Sequence, residues 1–272
     1  MTEVSGLFVY PVKSCAGSSL NSADVTATGF AWDRRWMVVG DDGRFLSQRE
    51  HPELVLIRPR IAADSLLLAA PRLPEVAVGL VRDDGPTVRV TVWADECEAV
   101  DEGPAVAQWL SEHLGRRARL VRLAGDDVRP LNGPAAEPGD RVSFADAYPF
   151  LLVSQASLDE LNRRLALPVP MDRFRPNIVV AGCGAHAEDR WRHVRIGGID
   201  FRVAKPCARC AVVATDQQTA RRGPEPLRTL ADYRLRDGKV MFGQNLVHGG
   251  PGTLAIHDPV VVLASRHLID GI

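Results

Sequence analysis

Short runs of β-branched and apolar residues alternate along this chain with breaks rich in Gly, Pro and Asp, and sustained 3.6-residue periodicity is scarce. Strands are predicted over Val4 to Pro11, Arg35 to Val39, Leu54 to Ile61, Thr87 to Trp93, Arg117 to Leu123, Asn177 to Val180, Val194 to Ile196, Asp200 to Ala204, Ala211 to Thr215 and Val260 to Leu263. Asp41-Asp42-Gly43, Asp83-Asp84-Gly85 and Gly197-Gly198 supply turn signals between them. Three helices are predicted. Ala105 to Leu114 places Val106, Trp109, Leu110 and Leu114 on one face and stops at Gly115. Ser157 to Leu165 opens with a capping-box pattern, Ser157 then Glu160, and carries Leu158, Leu161 and Leu165 as its stripe. Leu227 to Leu235 is the third. Strands never alternate regularly with long helices, which argues against a doubly wound parallel sheet. The pattern predicts a mostly β fold, all-β or α+β, with a few short helices.

A length of 272 residues suits two domains, and the stretch Ala124 to Arg141, rich in Gly, Pro and Asp, is the expected boundary. The net charge of −1 gives no global basic field, so nucleic acid is not an expected partner. No apolar run approaches the roughly 20 residues of a bilayer span, and the start lacks the parts of a secretory signal. Five cysteines, an odd number, point to a reducing cytoplasm with free or metal-bound thiols rather than a disulfide framework. No G-x-G-x-x-G follows a strand and no P-loop is present, so the usual dinucleotide and NTP cradles are missing. Among 33 basic residues only Lys13, Lys205 and Lys239 are lysine, so each is a candidate for a specific need for an ammonium.

Lys205-Pro206-Cys207-Ala208-Arg209-Cys210 is the sharpest local signal. A zinc site would need a second ligand pair, yet Cys15, Cys97 and Cys183 stand alone. A thioredoxin-like dithiol would need a helix starting at the motif, whereas Ala211 to Thr215 reads as strand. Two ordinary buried cysteines, or one thiolate on a soft metal or metal cofactor, are the other readings. Lys13 and Ser14, after the proline that ends the first strand, suit a phosphate held by one ammonium and one hydroxyl; the alternative is a surface lysine near a turn. In Asp33-Arg34-Arg35-Trp36, alternation predicts Arg34 and Trp36 on one face, or else a salt-bridged strand edge. In Arg173-Phe174-Arg175-Pro176-Asn177, Arg175 suits a bidentate grip on an anion and Asn177 offers donors and acceptors; the alternative is a solvated pair of arginines. Phe242-Gly243-Gln244-Asn245 and Gly249 to Thr253 either let backbone approach a ligand or are turns only.

YPVKSC, DRRW, PFLLVSQASLDELN, FRPN, KPCARC, FGQN and PGTLAIHDPV occur here in the order found in MOSC-domain proteins. From about Val4 to about Leu263 the chain resembles their two-domain branch, which includes the amidoxime-reducing components. The resemblance implies two β-barrel-like domains, an N-terminal one over 1–120 and the MOSC domain over 121–272. It implies a molybdenum cofactor whose metal is ligated by Cys210, the catalytic residue, with Lys205 and Arg209 offsetting negative charge. Lys13, Ser14 and Arg34 would lie along its phosphate and pterin, with Arg175, Asn177, Arg209 and Asn245 completing the grip and Tyr148 hydrogen-bonding the pterin. Asp146 is the expected proton donor or orienting group near the metal. The implied reaction removes oxygen from an N–OH group of a small-molecule substrate, leaving an amine or amidine plus water. The chain carries no iron–sulfur cysteine cluster, so electrons are expected from a separate ferredoxin- or flavoprotein-type donor. The alternatives are a carrier of molybdenum cofactor or sulfur without turnover, and a metal-free structural C-x-x-C protein. Val213-Ala214 stand where eukaryotic members carry a threonine pair, and Ala147-Tyr148 where they carry small hydroxyl residues. Both departures bear on substrate identity more than on cofactor binding.

Overall fold

In the computed structural model, which describes residues 1–80, 85–124 and 129–265, strands dominate as the pattern predicts. The described helices are α1 (Pro104–Leu114), α2 (Gln155–Asn162), α3 (Leu227–Arg234) and short 3-10 turns. The largest sheet has nine strands. They are β1 (Glu3–Val9), β2 (Ser18–Leu20), β3 (Phe150–Ser154), β4 (Ile178–Ala181), β5 (Trp191–Ile196), β6 (Ile199–Ala208), β7 (Leu235–Arg236), β8 (Lys239–His248) and β9 (Val260–Ser265). Their order is β2-β1-β4-β3-β8-β6-β5-β9, with β7 on β8. Among the described strands of this sheet only β3 and β4 pair in parallel, and α2 lies in the crossover that such a pair requires. Backbone bonds from Val4 N to Asp258 O (2.9 Å) and from His257 N to Val4 O (2.8 Å) tie the segment before β9 to β1. The described strands form no closed ladder, so the expected barrels are seen as separate sheets.

The β3 run is apolar from Phe150 to Val153 because both of its faces are covered. Phe150 and Leu152 pack with Val4, Leu7 and Phe201, while Leu151 and Val153 pack with Phe174, Val213, Phe242 and the apolar faces of α2 and α3. Residues between these blocks build a second unit. Trp36–Val39, Arg119–Leu123, Asp95–Asp101 and Thr87–Val92 form one sheet, and Arg58–Ala62, Ser65–Ala70 and Leu73–Gly79 form a meander. The first residues of the chain are nevertheless hydrogen-bonded into strands of its last third: β1 pairs with β4, and Ser22–Thr26 pairs with Gly252–Ala255. Of the expected boundary stretch, residues 125–128 lie outside the described residues, as do residues 83–84 of the expected turn at 83–85.

Several local expectations are corrected. Pro52 opens a 3-10 turn over Pro52–Leu56, so the strand expected from Leu54 begins only at Arg58. α2 starts at Gln155 because Ser154 caps it, accepting from Ser157 N at 3.1 Å, and Glu160 turns instead to Arg163 and Arg164. Arg34 lies in a turn closed by Arg35 N to Trp32 O (3.3 Å), so strand alternation does not set its direction. Ala211–Ala214 is a 3-10 turn, not a strand. Arg209 N still donates to Val240 O of β8 (2.7 Å), but β8 starts at Lys239 and offers Ala211–Ala214 no partner, and the apolar pair Val213-Ala214 is buried by local turning. The glycine-rich Phe242 to Asn245 lies inside β8, where Gly243 has φ +79° and a Cβ would sit 2.7 Å from Leu152 O. Glycine there is what lets β8 approach β3.

Candidate functional site

A cleft of about 290 Å³ opens where β6 leaves the large sheet. Lys13, Ser14, Arg34, Asp146, Tyr148, Arg175, Asn177, Arg209, Cys210 and Asn245 all line it, although they lie far apart along the chain. β1 and β4 pair side by side, and this brings the loop after the first beside the loop before the second. The two bulges in β6, one at Val203/Lys205 and one at Pro206/Ala208, turn the cysteine motif out of the ladder.

Three of the lining residues have a backbone that favours glycine: Ser14 (φ +68°), Arg34 (φ +48°) and Arg175 (φ +55°). Each such residue costs roughly 1–3 kcal/mol and survives where its surroundings over-determine it. Gln48 Nε2 donates to Ser14 O (2.6 Å), Arg34 N donates to Tyr10 O (2.8 Å), and Arg175 N donates to Asp172 O (3.1 Å). The guanidinium groups of Arg34 and Arg175 each rest 4.3 Å from the Tyr10 ring centre. Arg34 also donates to Asp33 and to Asn177 Oδ1 (3.1 Å), and Arg175 Nη1 donates to Cys15 O (2.5 Å). Burial disfavours the charge on Arg175 and raises the Tyr10 phenol and the Cys15 thiol, the latter to about 12, so Tyr10 and Cys15 stay neutral. Asn177 is committed to the fold: its Oδ1 also accepts from Leu151 N (3.2 Å), and its Nδ2 donates to Phe8 O (3.3 Å). Its geometry positions Arg34 rather than leaving a free grip.

Lys13 is buried, donates to Phe144 O (2.8 Å) and is paired with Asp146. Its ammonium lies 5.1 Å from the Phe45 ring and 5.7 Å from that of Trp93. Desolvation lowers the Lys13 pKa. At Asp146 the surrounding protein disfavours charge, but the Lys13 ammonium outweighs this and holds the carboxyl below the ordinary range. A carboxylate so held is a poor proton donor at neutral pH, so of its two expected roles the orienting one suits this geometry.

On the far wall, Arg209 donates to Cys207 Sγ (3.0 Å) and to Phe174 O (2.6 Å), while its buried Nε has no partner. Asn245 lies opposite Lys205 and reaches Lys205 O at 3.4 Å. Lys205 sits 5.3 Å from the Tyr148 ring. The Tyr148 hydroxyl donates to Pro134 O (3.0 Å), so the tyrosine offers the cleft its ring rather than its hydroxyl. Two of the three lysines thus line the cleft. Gln48 and Arg49 also line it, and nothing in the polar run Ser47-Gln48-Arg49-Glu50 marks them in the sequence. Gln48 is only 1% exposed, and its Oε1 has no partner. Among the described residues no three His, Cys, Asp or Glu side chains cluster as a metal-ligand set. No described helix is long and apolar enough to cross a membrane.

Chemically this is a cleft rich in positive charge: Lys13, Arg34, Arg49, Arg175, Lys205 and Arg209 line it with one carboxylate, Asp146, and the Cys207 and Cys210 thiols. Residues 1–117 match the family model of the MOSC N-terminal beta barrel domain, and residues 139–261 match that of the MOSC domain. The chain is 36% identical to mitochondrial amidoxime-reducing component 1 of Mus musculus, over 96% of its own length and 82% of that protein's. The Homo sapiens counterpart gives the same identity and coverage. Molybdenum cofactor sulfurase of Danio rerio is 35% identical over 90% of this chain, which spans only 32% of that longer protein. The chain belongs to the MOSC-domain family, in its two-domain form.

Proposed function

We propose that this protein holds a molybdenum cofactor in the cleft and reduces N-oxygenated small molecules with electrons from a separate donor protein. The observation that carries the reading is the meeting of the Cys210 thiol with six cations in one cleft. The residues fit the group. A phosphate-bearing pterin needs cations, which the cleft supplies in excess, and the unpartnered Arg209 Nε and Gln48 Oε1 are unused polar atoms beside it. When bound, the cofactor supplies the two-electron redox chemistry, and the chain supplies binding and orientation. Cys210 would be the thiolate ligand to the metal. Lys13, Ser14, Arg34, Arg175 and Arg209 would hold the anionic parts, while Asn177 keeps Arg34 aimed and Asp146 keeps Lys13 charged. Val213 and Ala214 pack behind the cleft rather than lining it, so that departure from the family pattern reshapes the core more than the pocket.

The test is metal content by mass spectrometry on protein made in a host that synthesises the cofactor, with Cys210→Ala alongside. Near-stoichiometric molybdenum, lost in the variant, is the expected result. Zinc, or no metal, overturns the reading. The likeness to molybdenum cofactor sulfurase supports one alternative, a protein that carries cofactor or sulfur without turnover. Bound molybdenum together with no reduction of any N-hydroxylated compound, using either ferredoxin- or flavoprotein-type donors, would favour that alternative.

A further inference from the structure

We infer that Arg49 is a substrate-anchoring residue, a guanidinium held at the mouth of the cleft that grips a carboxylate on the incoming molecule. This rests on the reading above for the nature of the substrate, and it narrows the substrate to N-oxygenated compounds that carry an acid group.

Arg49 lines the cleft yet is exposed. The other arginines of the cleft donate to backbone carbonyls or acids, as described above. The Arg49 side chain makes no hydrogen bond or ion pair among the described residues. It is nonetheless held in place from both ends. Arg222, from the loop that follows the Cys210 turn, donates to Arg49 O (3.1 Å) and to Gln48 O. At the other end the guanidinium lies 4.4 Å from the Trp93 ring centre. Trp93 is the first residue of the two-residue turn between Thr87–Val92 and Asp95–Asp101, and its φ is +58°. That position favours glycine, and a bulky residue there is strained. The contact that fixes the indole is its edge-on packing against Phe45 at 4.7 Å, which leaves it behind the guanidinium.

A planar cation stacked on an aromatic face keeps its N–H edge free, and that edge matches a carboxylate in bidentate fashion. Holding the side chain at both ends lowers the entropy lost when it binds. The deeper cations, Lys13, Arg34 and Arg175, are placed for a buried anion, whereas Arg49 meets what enters from solvent. The Asp146 carboxylate is within electrostatic reach of Arg49, but its ion pair is with Lys13 and leaves the Arg49 N–H edge free.

The experiment measures binding, not turnover. Para-carboxybenzamidoxime and its methyl ester are titrated into the purified protein by calorimetry with no electron donor present, and molybdenum is quantified on the same preparations. A charge-assisted bidentate contact predicts that the acid binds about tenfold more tightly than the ester. Arg49→Gln abolishes the preference, Arg49→Lys keeps part of it, and Arg117→Gln, at an exposed arginine outside the cleft, leaves it intact. Equal affinities in the wild type, or a preference that survives in Arg49→Gln, overturn the inference. So does a fall in molybdenum content in Arg49→Gln, which would place the residue on the cofactor. Wild-type protein without molybdenum would sink the proposed function, while the acid-to-ester ratio on that preparation would still decide the role of Arg49.

Discussion

Replacing Asp146 by Asn tests how the cleft tolerates a buried ammonium. Lys13 is the buried member of the pair, with 4% of its side chain exposed against 68% for Asp146. Removing one partner of a fully buried pair costs roughly 3–5 kcal/mol, because the other charge is stranded. Here water reaches the Asp146 side, and Lys13 keeps its bond to Phe144 O. Screening of this kind reduces the expected loss to about 1–2 kcal/mol. Lys13→Met strands no charge, since Asp146 turns to solvent, and it loses one hydrogen bond at Phe144 O, about 1 kcal/mol. The double variant should therefore be no less stable than Lys13→Met. Urea unfolding of the four proteins at neutral pH reads the cycle. The sign with pH follows from Asp146. Its folded pKa lies below the ordinary value of about 3.9, so its contribution is complete above that value and fades as pH falls through the folded one. The gap between wild type and Asp146→Asn should narrow on acidification. The reasoning fails if Asp146→Asn matches wild type at neutral pH, if Lys13→Met is the more damaging change, or if the gap widens in acid.

Two further substitutions check the scaffold. Gly243→Ala puts a Cβ at φ +79° within 2.7 Å of Leu152 O and should cost about 2–3 kcal/mol in urea unfolding by forcing β8 from β3; a neutral result would refute the close-approach account. Asn177→Ala leaves the buried Leu151 N–H without its side-chain acceptor and frees Arg34, so stability should fall by about 1–3 kcal/mol and molybdenum per chain should drop; intact metal content would remove Asn177 from the support of the site.

Part of the strand set was legible because β-branched runs between turn residues state their period directly, whereas Ser65–Ala70, Leu73–Gly79, Asp95–Asp101 and β8 carry no such run and went unpredicted. Trp36–Val39, Thr87–Val92 and β9 lie close to where that pattern puts them. Ala211–Ala214 shows the limit. Two valines read as strand, but a strand needs a neighbour, and whether β8 continues alongside is a tertiary fact. The site was legible as an ordered set of motifs and not as geometry. No spacing rule places Lys13 in one cleft with Cys210; that follows from β1 lying against β4 and from the bulges in β6. Arg49 was missed because an arginine in a polar run looks like any solvated charge. What marks it is the indole behind it, and Trp93 is distant in sequence.

The conformations hardest to foresee are those that shape the cleft. Nothing in Ser14, Arg34 or Arg175 as residue types announces a left-handed backbone, and in each case glycine would adopt it more easily. Glycine, however, would supply no hydroxyl or guanidinium. The chain therefore places the cleft-lining side chain on the strained residue itself and stabilises the turn through neighbours: Gln48 for Ser14, Tyr10 for Arg34, Asp172 for Arg175. Two of these neighbours have further roles, since Tyr10 also carries both guanidinium groups against its ring and the Gln48 carbonyl is held by Arg222. Like charges are thus fixed close together before any ligand arrives. An anion entering the cleft meets donors already aimed, and the ordering cost has been met by the fold rather than at the moment of binding.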